Sequence, residues 1–513
     1  MGDWGAFALD DQWGWIGLSG QEHNLSGGVA REAAVSAAEV SVASGRPQRR
    51  ALRALEAQRM IDLTTLRLAP SLAAGLIAYL HIGDIGQALV LFASVYVATS
   101  TIQRSQLPLH LMPASRVLLG VATPLLGVGV GWLIAVAAGQ SYSIGSLEAA
   151  LAAAWLVMAL GAWIRGYLED GLQARVAVIG SREFAADFVA ELEAARIKTY
   201  NVTGWISAGG GGEYRGLRWL GTMEDVRYAV LSERIELLVV APTANELEGR
   251  LEDPFAAIAD QCLDLPVRLI AANQLYEDAF GHVPVGTIDA AWYRYIMHPR
   301  FRAAGPTSKR VFDVLVGSVI ALLFLPILAI SALAIKLVDG GPVFYKQRRL
   351  GEHGGEFGII KLRTMRVDAE SEGPQWSLVR DERITRIGRL LRRSHVDEIP
   401  QLLNVFRGEM TLVGPRPERP EIVTQLERRF PHYTRRQLIK PGIAGWVALR
   451  CGYAGSDLGT AWKLCHDLFY IKRRSILSDT LILAETSVEV FRDAHRALRA
   501  PDERFLIGKE AGG

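Results

Sequence analysis

Cysteine is almost missing from this chain. Only Cys262, Cys451 and Cys465 occur in 513 residues, and their spacing suits neither a disulfide framework nor a zinc site, so a reducing compartment is the natural setting. An excess of either charge is also lacking. Lys and Arg number 56 against 54 Asp and Glu, so net charge names no partner and no nucleic acid is expected among them. Charged side chains are few between residues 62 and 164, then crowd into 340–420. That contrast predicts a membrane block followed by water-exposed domains. The first 45 residues lack the basic start and apolar core of a secretory signal. Rich in Gly, Ser and Ala, they are read with their neighbours as a mostly disordered cytoplasmic tail over 1–60. An Asp-x-Asp pair is absent too, which counts against a metal-dependent processive glycosyltransferase.

What the chain does have is long apolar runs, half of its residues being hydrophobic. An apolar helix needs ~20 residues to cross a bilayer, ~17 at the short end. Four runs qualify, at 63–82, 85–102, 117–138 and 147–164, predicting a block of four transmembrane helices over 61–165. Gly83 and Asp84 alone separate the first two, which predicts a tight helical hairpin, and Arg67 is placed to snorkel towards headgroups. Arg46, Arg49, Arg50, Arg53 and Arg59 precede the first run; Arg104 and Arg116 flank the second connection; Arg165 and Arg175 follow the fourth run. The first and third connections hold no Lys or Arg. By the positive-inside rule both termini face the cytoplasm, as expected for a multi-pass protein of a bacterial inner membrane.

From Arg175 the rhythm becomes that of a parallel α/β sheet, with apolar runs at 176–179, 236–241 and 266–271 alternating with polar helical stretches. The unit predicted over 173–275 is Rossmann-like, with a linker over 276–305. Its first turn reads Gly180-Ser-Arg-Glu-Phe-Ala185. A dinucleotide site wants further glycines there, so that backbone amides can approach a pyrophosphate. Only Gly180 remains, and no Tyr-x-x-x-Lys pair follows in the domain. A structural or regulatory role is expected. The glycines at 209–212 read as a loop.

Residues 314–337 form a fifth apolar stretch, but its flanks are wrong for a crossing. Lys309 and Arg310 precede it, while Lys336, Lys346, Arg348 and Arg349 end or follow it, and both sides therefore carry the cytoplasmic signature. Pro326 at its centre removes a backbone hydrogen bond. The expectation is a re-entrant helix, broken at Pro326, that dips into one leaflet and returns.

The remaining third carries many short motifs in a fixed order. Lys309-Arg310-Val-Phe-Asp313 opens it, followed by Gly341-Pro-Val-Phe-Tyr345 with Gln347 and Arg349, then Lys361-Leu-Arg-Thr-Met365. Arg383-Ile-Thr-Arg-Ile-Gly-Arg389, Asp397-Glu-Ile-Pro-Gln-Leu402, Asn404-Val, Leu412-Val-Gly-Pro-Arg-Pro-Glu418 and Lys440-Pro-Gly-Ile-Ala-Gly-Trp446 complete the set. Over about 306–495 this strongly resembles the bacterial sugar transferase family, the monotopic phosphoglycosyl transferases. The preceding spans and Rossmann-like unit resemble the long form that transfers hexose 1-phosphates to undecaprenyl phosphate. The catalytic domain is placed at 306–500, mainly α-helical, with a tail over 501–513. In one departure from the family pattern, Leu325 stands before Pro326 where relatives often have Ser.

A nucleotide diphosphate sugar must have its charge neutralised before an anion can attack phosphorus. Lys361, Arg363, Arg383, Arg386, Arg389 and Arg416 are candidates, with Glu418 beside Arg416; the planar arginine fork suits phosphate. Asp397 and Glu398 offer two carboxylates, able to act as nucleophile or to ligate Mg²⁺. The resemblance implies that Asp397 attacks the sugar-bearing phosphate of a UDP-sugar, expels UMP and holds the phosphosugar until undecaprenyl phosphate takes it. It implies glucose or galactose as the sugar and exopolysaccharide or another surface glycan as the destination. Membrane lipid is a further expected partner, and a homodimer through the N-terminal region is carried as a hypothesis with no motif behind it. The competing readings are a membrane scaffold for polysaccharide assembly without catalysis, and a dinucleotide enzyme that modifies nucleotide sugars.

Overall fold

The computed structural model describes residues 64–103, 112–169, 173–207, 211–241, 254–285, 288, 306–369, 381–430, 432–451 and 457–492. The two tails, the arginines at 46, 49, 50, 53, 59 and 104, the glycines at 209 and 210 and most of the 276–305 linker lie outside the described residues.

Four apolar helices open the fold: α1 (Ala69–Ile82), α2 (Ile85–Gln103), α3 (Pro113–Ala137) and α4 (Ile144–Glu169). The expected hairpin between the first two is present. Gly83 takes φ +75° and returns its N–H to Tyr79 O at 2.8 Å. Asp84 then accepts the amides of Gly86 and Gln87 at 2.7 and 3.1 Å, capping α2. The packing of this block is inverted relative to a water-soluble bundle. Ser71, Ala74, Ala78, Ala150 and Ala154 are buried, whereas Leu76, Leu80, Val97, Val117 and Leu156 are exposed. Small residues inside and large apolar ones outside are the arrangement of helices packed in lipid. Gly127 shows how tight the approach is, because a Cβ there would stand 2.6 Å from Val95 Cα. Gly127→Ala is therefore expected to separate α2 from α3 and cost about 1–3 kcal/mol, read as a lowered thermal transition in detergent.

Length divides these helices. Ala114–Ala137, Ile144–Ile164 and the later Thr307–Asp339 are long and apolar enough to cross a membrane, while Ala69–Ile82 and Ile85–Ser100 are shorter. A helix of 14 residues rises only ~21 Å against a core of ~30 Å. The π-helical turn Thr64–Leu68 ahead of α1 extends that segment.

The middle unit is α/β. Its strands are β1 (Ala174–Ile179), β2 (Tyr200–Ile206), β3 (Glu213–Tyr214), β4 (Leu217–Gly221), β5 (Leu237–Val240) and β6 (Arg268–Ala271). They form one sheet in the order β3-β4-β2-β1-β5-β6, parallel except for the β3–β4 pair. Helices α5 (Arg182–Ala194), α6 (Val226–Glu233), α7 (Pro254–Cys262) and α8 (Ala272–Phe280) accompany it. At the turn after β1, Ser181 Oγ caps α5 by accepting the Phe184 amide at 3.2 Å. The Phe184 ring is buried in the core against Tyr276. The α5 N-terminus is thus closed with the protein's own atoms.

The C-terminal unit begins with α9 (Pro306–Ala334), which a π-helical turn Ile335–Asp339 continues. A hairpin follows, β7 (Phe344–Leu350) antiparallel to β8 (Glu356–Leu362), then α10 (Arg386–Arg393) and α11 (Leu402–Arg407). Next come β9 (Thr411–Val413), α12 (Pro420–Arg429) and β10 (Gly442–Ala444), which pairs parallel with β9. Helices α13 (Trp446–Arg450), α14 (Asp457–Arg473) and α15 (Ile476–Arg492) close the chain's described part.

The foot of α9 is pinned by the opening motif. Asp313 accepts from Thr411 Oγ1 at 2.6 Å and Leu412 N at 3.2 Å. Lys309 bridges Asp313 and Asp479 at 2.9 and 2.7 Å, and Arg310 donates to the carbonyls of Val405 and Phe406. Pro326 falls inside α9, with no separate second helix starting there. Phe312, Val316 and Ile320 pack on the domain core, and farther along Phe324, Leu328 and Ile335 pack with Leu362, Leu391 and Val396. Each step of four residues drifts about 40° around an α-helix, so the packed stripe winds around α9 from Phe312 to Leu328. The helix also exposes Leu315, Val319, Leu322, Leu323, Ile330 and Leu333.

Contacts tie the three units together. Trp446 Nε1 donates to Gly281 O at 2.7 Å, and buried Glu277 pairs with Lys472 and Arg473 at 2.5 and 3.0 Å. Glu485 on α15 caps α3, accepting the Ser115 amide at 2.7 Å.

Candidate active site

Asp397 and Glu398 sit in a 3₁₀ turn, Val396–Gln401, between α10 and α11. The turn is entered through His395 at φ +55° and ψ +12°, a left-handed conformation uncommon outside Gly and a frequent companion of functional turns. Successive residues in a 3₁₀ turn point ~120° apart, so the two carboxylates diverge. Glu398 turns towards β8 and the Gly414-Pro-Arg-Pro-Glu418 segment. Its Oε1 accepts Lys361 Nζ at 2.7 Å and Arg416 Nη2 at 3.1 Å. Burial alone would raise its pKa, but Arg416 and Lys361 hold it well below the usual carboxylate range.

Asp397 is only 7% exposed, and among the described residues its carboxylate accepts no hydrogen bond. Burial and the neighbouring Glu398 charge raise its pKa, against Lys361, Arg392 and His395, which lower it. The result is a poorly solvated carboxyl group that no donor among the described residues holds, with cations nearby. Such a carboxylate is more reactive than one tied into a salt bridge. Glu398, by contrast, is tied in, which suits it to positioning Lys361 and Arg416.

The turn is located by Asn404 of α11, fully buried. Its Oδ1 accepts Ile360 N at 3.1 Å, and Nδ2 donates to Gly358 O at 2.8 Å and Glu409 Oε2 at 2.7 Å. Those bonds fasten α11 to β8 and fix Lys361 opposite Glu398. A second buried centre holds the Arg416 segment. Arg436 donates to Asp467 Oδ2 at 2.7 Å, to Tyr433 OH at 2.6 Å and to Arg416 O at 3.1 Å. Glu418 lies 3.8 Å from both Arg436 and Arg349. Arg436 and Asp467 were not among the residues singled out for the site from sequence, and an arginine in a basic stretch carries no mark of burial.

The remaining candidates do not gather at the dyad. Arg383 is paired with Asp381, at 2.8 Å and 2.6 Å, and also donates to Ala369 O at 3.1 Å. Arg363 and Arg386 line an open cleft of about 420 Å³ with Arg366 and Arg389. Pro326 is in α9, away from all of these in sequence. Among the described residues no cluster of three or more metal-ligating side chains occurs.

Comparison with known proteins agrees with the motif order. Residues 305–493 match the bacterial sugar transferase family. The chain is 40% identical over 178 residues to the UDP-N-acetylgalactosamine-undecaprenyl-phosphate N-acetylgalactosaminephosphotransferase of Aeromonas hydrophila, covering 35% of this chain and 42% of that one. It is 38% identical over 192 residues to the UDP-glucose:undecaprenyl-phosphate glucose-1-phosphate transferase of Caulobacter vibrioides, 37% of this chain and 71% of the relative. A longer match, 29% identical over 320 residues, joins it to the undecaprenyl-phosphate glucose phosphotransferase of Komagataeibacter xylinus, 61% of this chain and 58% of the relative. The match thus spans less than half of the Aeromonas protein and under two thirds of the Komagataeibacter one. With the Caulobacter relative matched over most of its length and the family's region matched from the foot of α9 to the end of α15, the chain belongs to the bacterial sugar transferase family.

Proposed function

We propose that this protein transfers a hexose 1-phosphate, glucose or galactose, from a UDP-sugar to undecaprenyl phosphate, with Asp397 as the nucleophile. The observation that carries the reading is the division of labour in the dyad, where Glu398 is neutralised by Lys361 and Arg416 while Asp397 has no hydrogen-bond donor among the described residues. In the first step an Asp397 carboxylate oxygen bonds to the phosphorus that bears the sugar. The bond from that phosphorus to the bridging oxygen breaks, and UMP departs with the electron pair. In the second step an oxygen of undecaprenyl phosphate attacks the same phosphorus, and the acyl phosphate bond breaks to restore the Asp397 carboxylate. Lys361 and Arg416 are placed to offset negative charge on the departing UMP.

Mg²⁺ fits this donor set in a limited way. Glu398 is taken up by its two cations, whereas Asp397 presents a free carboxylate, and Mg²⁺ usually needs only one or two protein carboxylates beside substrate phosphates. Asp397 would hold it, and the ion would supply charge neutralisation on the diphosphate.

The membrane arrangement supports the same chemistry. Glu485 caps the α3 N-terminus, placing that end beside the catalytic unit. Both ends of α9 stay packed on the catalytic unit, which supports re-entry into a single leaflet over a crossing. A cytoplasmic catalytic face on the inner membrane follows from the arginine distribution, and the product then starts an exopolysaccharide or other surface glycan. The test uses the purified chain, Mg²⁺, undecaprenyl phosphate and a panel of UDP-sugars, with UMP release measured. Release that depends on the lipid and on one or two hexose donors is the expected outcome; no lipid-dependent UMP with any donor would leave the scaffold reading in its place.

A further inference from the structure

The α/β middle unit meets the catalytic unit at the two elements that hold the Arg416 segment. Its last helix, α8, buries Leu275, Tyr276, Ala279 and Phe280 in the core of the sheet. Beside them stands Glu277, whose side chain is fully enclosed and pairs with Lys472 Nζ at 2.5 Å and Arg473 Nη2 at 3.0 Å, at the end of α14. Gly281 ends α8 at φ +70°, and its carbonyl accepts the Trp446 indole N–H at 2.7 Å. The Val283 amide donates to Cys465 O of α14 at 3.1 Å. His282 fills the joint, its ring centre 4.6 Å from that of Trp462 and 5.4 Å from that of His466.

Both elements held in this way continue to the Arg416 segment. On α14, Asp467 accepts from Arg436, which also donates to Arg416 O at 3.1 Å, and Tyr470 OH donates to Val413 O at 2.8 Å. At 100° per residue Trp462, His466 and Arg473 fall within ~40° of one another, and Asp467 points ~100° or more away from all three. One side of α14 therefore takes the middle unit while another holds Arg436. Trp446 follows β10, where Gly414 N donates to Ala444 O and Gly442 N to Pro415 O, both at 2.9 Å. The fit is tight at Gly445, because a Cβ there would stand 2.5 Å from Gly414 O. Close-packed elements of this kind have little slack and pass on a shift at one contact. The Arg416 guanidinium reaches out to Glu398 at 3.1 Å, so where its backbone is held decides where its charge is placed. We propose that the middle unit sets the position of Arg416 in the sugar-donor site, with Glu277 as the positioning residue acting through α14 and Arg436, a role that rests on the transferase reading above.

Affinity for the sugar donor is read by isothermal titration of UDP-glucose and of UDP-galactose into the full chain in detergent. The Asp397→Asn background is used, so that the nucleotide sugar is bound without being consumed. Glu277→Gln keeps the size of the side chain and removes the charge facing Lys472 and Arg473. It is expected to raise the Kd on the order of fivefold. Trp446→Phe keeps the ring packing and removes the N–H that meets Gly281 O, and it is expected to raise the Kd as well. With Arg416→Ala added, Glu277→Gln is expected to change the Kd no further, because an effect carried by Arg416 disappears with it. A merely structural defect would weaken binding equally in both backgrounds. An unchanged Kd in the two single variants, or the same loss with and without Arg416, would overturn the proposal. If thermal unfolding shows that Glu277→Gln has lost its fold, Trp446→Phe decides on the same terms. Failure of both the Asp397→Asn chain and the wild type to bind either nucleotide sugar would instead remove the transferase reading itself.

Discussion

Asp397→Asn is expected to abolish UMP release, by roughly a thousandfold or more, while leaving the protein folded. Removing the nucleophile of a covalent mechanism costs far more than removing a positioning group. The substitution is nearly isosteric. Because no described donor bonds the Asp397 carboxylate, it strands no partner. Glu398 keeps Lys361 and Arg416 at 2.7 and 3.1 Å, so the donor site is left in place. Binding of a UDP-sugar, followed by isothermal titration, is expected to persist in the variant. If Asp397→Asn retained more than a few per cent of wild-type UMP release, the nucleophile would have to be sought elsewhere, and Glu398 is poorly placed for it.

The second large effect is structural. Asp467→Ala is expected to destabilise the catalytic unit by about 3–5 kcal/mol, the usual consequence of stripping one partner from a buried ion pair. Arg436 and Asp467 meet at 2.7 Å with both side chains almost fully enclosed. Without Asp467, Arg436 keeps Tyr433 OH and a more distant Glu418 at 3.8 Å, which is poor compensation for a buried guanidinium. Activity is expected to fall as well, because Arg436 also holds the Arg416 carbonyl at 3.1 Å and Arg416 in turn faces Glu398. Thermal unfolding in detergent measures the first effect and UMP release the second. A variant with wild-type melting would show that the pair is dispensable.

Much of this architecture is legible in the sequence. Apolar run length outlines the N-terminal helices, the first of them continued upstream by the π-helical turn Thr64–Leu68. The alternating rhythm after Arg175 gives the parallel sheet, and the missing glycines after Gly180 correspond to a turn that Ser181 caps for itself. Motif order locates the dyad. What the linear chain hides is which charges find each other. Arg383 and Arg416 look equivalent as phosphate binders, yet Arg383 is taken by Asp381 two residues away while Arg416 crosses to Glu398. Lys309 and Asp313 stand in the opening motif with nothing to mark their role, and they anchor the foot of α9. Pairing of this kind depends on tertiary proximity, for which neither composition nor spacing has a signal.

The central claim is that Asp397 carries the phosphosugar between donor and acceptor, and intact-protein mass spectrometry addresses it most directly. The purified chain would be incubated with Mg²⁺ and UDP-glucose or UDP-galactose, without undecaprenyl phosphate, then digested to locate any adduct. The expected result is a mass increase of one hexose phosphate on the peptide containing Asp397, discharged when undecaprenyl phosphate is added and absent from Asp397→Asn. Lipid-dependent UMP release with no adduct in the wild type, or an adduct that survives in the variant, would contradict it.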